Sequence, residues 1–154
     1  MRPILLVIVA IFFTGQIYAD CAGSGLWTYP HSGAINQNSL IVLEGYARSQ
    51  RIINSLNNKY PVYLESSGHC VQLILKSTHR GMFDITQAIL IPDEKLILDR
   101  TYQLVIDNLE DDERLLLMEW NSSLGGRKPI AWKVEGQTDY IAPKLLSPPE
   151  LVDG

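Results

Sequence analysis

The chain is short of cysteine, histidine and charge. Among 154 residues there are two cysteines, three histidines and 19% charged side chains. Two cysteines allow one pairing at most. Basic residues are not in excess: 13 Lys and Arg face 17 Asp and Glu. A nucleic-acid partner wants a basic face, so composition argues against one, and against an anionic membrane surface. No low-complexity tract appears, and beyond the first residues no apolar run is long enough to span a bilayer. The nucleophile elbow G-x-S-x-G is missing too. "HSG", "SSGH" and "STHRG" do set serine beside histidine, but a triad is a matter of geometry, not of adjacency.

The N-terminus holds the one long apolar run. Arg2 precedes "PILLVIVAIFF", and "IYA" closes with a small residue before Asp20. This order predicts a secretory signal over residues 1–19, cut after Ala19. Thr14, Gly15 and Gln16 end the run too early for a membrane anchor. Removal of Arg2 with the leader leaves a net charge of about −5. About 135 residues remain, enough for one domain with its own core. Export predicts a secreted or periplasmic protein in an oxidising compartment. There Cys21 and Cys70 are expected to pair, closing a loop worth on the order of 3–4 kcal/mol. Lipidation of Cys21 is the alternative, and Asp20 makes a poor residue to precede a lipidated cysteine.

Short apolar runs alternate with turn signals along the rest. Strands are predicted over 39–46, 62–66, 70–77, 83–91, 95–98, 101–109, 114–120 and 130–136. In "CVQLILKS" the set Val71, Leu73, Leu75, Ser77 is the more apolar and is predicted to face the core. "ARSQRIINSLNNKY" departs from the pattern. Ile52, Ile53 and Leu56 recur at helical spacing, which predicts one short helix within 47–60, after the first predicted strand. Many short strands at such intervals predict an all-β sandwich or barrel.

Two stretches add a resemblance. In "LILDRTYQLVIDNL", Leu96 lies six residues before Tyr102, and apolar alternation follows. This resembles the tyrosine corner of immunoglobulin-like and fibronectin-III-like domains. The opening "WTYPHSGAINQNSLIVLEGY" is similar to that of bacterial Ig-like modules, with Pro30, Gly33, Asn36 and then Leu40 to Tyr46 in order. The likeness covers about residues 27–136 and implies an immunoglobulin-like β-sandwich over 20–137. The intersheet cysteines and core tryptophan of antibody domains are missing from it. A Pro-rich tail, 138–154, resembles the start of a second module, and is expected to be poorly ordered or laid over the domain.

Candidate chemistry is thin. His31, His69 and His79 fall in predicted turns, and a metal site needs several converging ligands. Asp107, Asn108, Glu110, Asp111, Asp112 and Glu113 form an oxygen-rich run without the spacing or glycine of a helix-loop-helix calcium site, which predicts a solvated hairpin loop. Two of Glu44, Glu65 and Asp84 would have to converge to make the carboxylate pair of a glycoside hydrolase; nothing in the sequence brings them together, and solvation at strand edges is the expectation. Trp27, Tyr29, Tyr46, Tyr60, Tyr63, Trp120, Trp132 and Tyr140 offer either core packing or a face for sugar or peptide. Asn121-Ser122-Ser123 satisfies the glycosylation sequon. The expectation is a non-enzymatic binding or structural module without a cofactor, contacting a protein or cell-envelope partner through loops or a sheet edge. A small-ligand or metal carrier is the alternative, and a hydrolase the third.

Overall fold

The computed structural model describes residues 23–123 and 125–138. The leader, Cys21, Tyr140 and nearly all of the predicted tail lie outside the described residues. Ten strands are described: β1 Gly25–Tyr29, β2 Gly33–Asn36, β3 Ile41–Tyr46, β4 Val62–Ser66, β5 His69–Arg80, β6 Ile85–Pro92, β7 Thr101–Ile106, β8 Met118–Asn121, β9 Gly126–Pro129 and β10 Ala131–Gly136. A 3-10 turn, Ala47–Ser49, runs into the one-turn helix α1, Gln50–Ile53, and a second short helix α2 covers Asp111–Leu116. The chain is mostly β, as its many β-branched residues and alternation predict.

Eight strands make one curled, near-barrel sheet in the order β1-β3-β6-β5-β4-β7-β10-β2, and β8 and β9 make a separate ribbon. The curl comes from β5. Its first four residues pair with β4, from Ser66↔His69 to Tyr63↔Gln72. The rest pairs with β6, from Leu73↔Pro92 to Arg80↔Thr86, with a bulge between Leu75 and Ser77. A bulge bends a strand and increases its twist, which turns one half of the sheet over the other. At the far ends, β1 pairs antiparallel with β3 while β2 pairs parallel with β10. Only Pro30, His31 and Ser32 separate these two edge strands, so one passage of chain serves both edges.

Alternation fills the space between the halves. Val71 and Leu73 are buried and Leu75 packs against the core, while Gln72 and Ile74 face out. Tyr102, Leu104 and Ile106 point inward from β7. The largest fully buried side chain is Trp132, on the last strand. Its indole N–H is shared by the carbonyls of Pro30 at 3.1 Å and His31 at 2.9 Å, so β10 is tied to the β1–β2 crossover. A buried indole N–H needs such a partner. Tyr102 is equally buried, and its hydroxyl accepts the Ile97 N–H at 3.2 Å, across the connection that leads into its strand.

Several expectations are corrected. The Cys21–Cys70 disulfide is corrected: Cys70 is a free cysteine, exposed on β5, and among the described residues no cysteine pair stands at bonding distance. The alternation that sends Val71 inward sends Cys70 out to solvent. Residues 95–98 are not a strand. Leu96 is instead a buried anchor in an irregular loop, where its N–H bonds the Gln37 carbonyl and its own carbonyl accepts from Gln37 Nε2. Residues 114–120 divide between α2 and β8. Three acidic residues, Asp111 to Glu113, occupy the first turn of α2, where they favour the positive end of a helix, and the Glu113 carboxylate accepts the Glu110 N–H at 3.0 Å. The helix within 47–60 is one turn long, although Ile52, Ile53 and Leu56 are buried as its spacing requires. β1 and β2 precede the strand that was expected to be first.

Candidate functional site

The β8–β9 ribbon follows α2. Its sequence "MEWNSSLGGRKP" folds back through a turn in which Gly125 has φ +61, a value that suits glycine. The register sets Glu119 opposite Lys128 and Trp120 opposite Arg127. Between this ribbon and the outer face of β10 and β2 lies an open groove of about 790 Å³. Gly33 and Ala34 from β2 and Ala131 from β10 are its small residues. Lys133 and Glu135 line it from β10, with Ser32 and Thr101 beside them. The ribbon contributes Glu119, Trp120, Asn121 and Lys128.

Trp120 is the most exposed tryptophan described, at 68%. Charges in the groove come in opposite pairs. Lys128 Nζ is 2.7 Å from Glu119 Oε1, and Lys133 Nζ is 2.9 Å from Glu135 Oε1. In the first pair the Glu119 Oε1 atom is buried. Burial pushes the Glu119 carboxyl up, and Lys128, Ser32 and His31 together outweigh it, leaving it below the ordinary carboxylate range. Glu135 holds the Lys133 ammonium above its usual value. Asn121 of the sequon uses its Oδ1 to accept the Ser123 N–H at 3.0 Å.

A second aromatic surface lies on the outer face of β1 and β3. Trp27 and Tyr29 are 43% and 44% exposed, and the Trp27 ring sits 6.4 Å from that of Tyr46. Trp27 folds along its own strand: a Cβ added at Gly25 would strike its ring. The Trp27 ring is laid along its own sheet, over Gly25 and beside Tyr46.

The other candidates are dispersed. Tyr60 and Trp132 are core residues, and Tyr63 bonds Asp107 at 3.3 Å. His31 stacks near Tyr29, His79 contacts Ser77 Oγ at 2.9 Å, and His69 lies between Tyr102 and Glu94. Glu44 on β3 accepts from Gln87 Nε2 at 2.5 Å, Glu65 lies on β4 opposite Cys70, and Asp84 is in the turn before β6. Of the acidic run, Asp107 and Asn108 lie in the turn after β7, and Glu110 to Glu113 form the cap and first turn of α2 in place of a solvated hairpin loop; Glu113 meets Arg51 at 2.6 Å. Among the described residues no three His, Cys, Asp or Glu form a group able to hold a metal, and no helix is long and apolar enough to cross a membrane.

The groove was hidden from the sequence because its walls come from residues 32–34, 101, 119–122, 128 and 131–135. The glycine pair after "MEWNSSL" was the available signal for a hairpin, and β9 went unpredicted. Comparison with protein-family models, curated proteins and solved structures gives no match, so function rests on this chain's own residues.

Proposed function

We propose that this chain is an exported, non-enzymatic binding module on an immunoglobulin-like sandwich, acting by contact through the groove and ribbon around Trp120. The observation that carries the reading is the exposure of Trp120 at the lip of a concave, polar surface. An indole open at the lip of a groove, with donors and acceptors around it, offers the flat amphipathic contact surface and placed polar groups that binding sites use. Trp27 and Tyr29 do not line that groove. The openness of the groove favours an extended partner over an enclosed small molecule, and so favours a contact module over a carrier.

Three features support the immunoglobulin-like assignment. One passage of chain serves both sheet edges through β1 and β2. β5 is shared between the two halves. Tyr102 bonds back to Ile97 before its own strand. The leader-like N-terminus supports export, and the envelope is then the nearest source of partners.

Site-specific photo-cross-linking in the native host tests this reading. A cross-linking amino acid at Ser122, which lines the groove beside Trp120 and leaves the indole in place, is expected to give an adduct with an envelope component. The same group at Lys76, exposed on β5, should give none. No adduct from position 122, or equal adducts from both, would remove the groove as the contact surface.

A further inference from the structure

We propose that the groove beside the β8–β9 ribbon binds a neutral oligosaccharide, with one sugar ring laid on the Trp120 indole. The proposal rests on the groove being the contact surface and adds the chemical class of what it contacts.

A pyranose ring has an apolar C–H face and a rim of hydroxyls. Its site needs a flat apolar platform together with both donors and acceptors at the edges. Trp120 is such a platform, and its exposure leaves the indole open to a ring. Lys128 and Lys133 supply donors, Glu119 and Glu135 acceptors, and the Ser32 and Thr101 hydroxyls both. A hydroxyl-rich ligand that loses its water in the groove can therefore exchange those bonds for protein ones.

Charge selects within the class. Each lysine in the groove is paired with a glutamate, at 2.7 Å and 2.9 Å, so the lining presents polar edges and no surplus of either sign. An anionic or cationic ligand would have to break a pair to gain a partner. A neutral one can bridge the pairs as they stand.

Shape gives the length. Gly33, Ala34 and Ala131 keep part of the wall low, so a ring can approach the strands closely. At about 790 Å³ the groove lies in the upper part of the range for ligand sites. Being open, it suits several linked rings and not one enclosed sugar. An extended peptide would be recognised differently, by adding its backbone to a sheet edge and filling side-chain pockets.

The test is titration of the isotope-labelled protein with cellohexaose, chitohexaose and maltohexaose, followed by NMR. At least one is expected to move the amide signals of Gly33, Ala34, Thr101 and Ala131 saturably. Trp120→Ala should weaken that binding by about tenfold or more, a change of one decade in Kd. Trp27→Ala should leave it unchanged, and a hexamer of hyaluronan should bind more weakly by a similar factor. Thermal unfolding of both variants checks that the fold is kept. The proposal is overturned if none of the three neutral hexamers saturates, if Trp120→Ala binds as the parent does, or if hyaluronan binds more tightly. A specific cross-link from position 122 with no sugar binding would leave the contact surface standing and remove the sugar. Loss of the cross-link removes both.

Discussion

Tyr102 and His69 meet edge to face, with the tyrosine hydroxyl 3.2 Å from the imidazole Nδ1. The same hydroxyl accepts the Ile97 N–H at 3.2 Å. On its far side the His69 ring sets Nε2 3.2 Å from Glu94 Oε1. One buried hydroxyl thus joins β7, the start of β5 and the loop at 93–97.

Removing that hydroxyl separates its bonding from its packing. Tyr102→Phe is expected to lower stability by about 1–2 kcal/mol, the cost of a lost bond plus an unpaired amide. His69→Ala keeps the Ile97 bond and should cost less. Urea unfolding of both variants checks the order, and a larger loss for His69→Ala would reverse the account.

Trp132 fills the core and ties the β1–β2 crossover with its N–H. Trp132→Ala should cost about 3–5 kcal/mol, as large-to-small changes in cores do. Trp132→Phe should cost less than Ala, yet more than its volume loss alone, because two carbonyls lose their shared donor. Denaturant midpoints of the two variants supply the comparison.

Gly45 lies on β3 beneath the helical turn. A Cβ there would come within 2.6 Å of Ile53 Cγ1 and 2.8 Å of the Ser49 carbonyl oxygen. Since one of these is backbone, Gly45→Ala should cost about 1–3 kcal/mol by overpacking. A thermal shift indistinguishable from the parent would show that the turn can move away.

Cys70 is free and exposed, so its thiol should alkylate in the folded protein without prior reduction, as peptide mass mapping would detect. Cys70→Ser should change stability by less than about 0.5 kcal/mol, as surface changes do.

Glu119 carries a pH dependence of known sign. Its folded value is lowered, so its contribution is complete above the unfolded value, near 4.5, and is lost as pH falls through the lowered one. The parent is expected to lose more stability below pH 4.5 than Glu119→Gln does. Parallel acid-side unfolding curves for the two proteins would contradict this.

Much of the fold was legible where neighbours in sequence decide the structure. β4 falls on the predicted residues, and β3, β6, β7 and β10 lie close to theirs, because period-two alternation bounded by Pro, Gly and Asn is a local signal. "RLLLMEW" reads as a strand by composition. It became helix and strand because Asp111 to Glu113 favour a helix start and Arg51, distant in sequence, meets Glu113. "GLWTY" hides its alternation, since the outward residues, Trp27 and Tyr29, are as apolar as the inward Leu26.

By itself the sequence determined the β character and the inward face of β5, which rest on spacing within one segment, and its resemblance to immunoglobulin-like domains pointed to Tyr102 as the tyrosine that bonds back across its connection. Tertiary structure alone decided that Cys70 faces solvent unpaired, that Trp132 is core while Trp120 stands open, and that 119–122 meets 32–34 and 131–135. Those outcomes depend on how the curled sheet brings distant segments together, and exposure is a property of the assembled surface that no single segment carries.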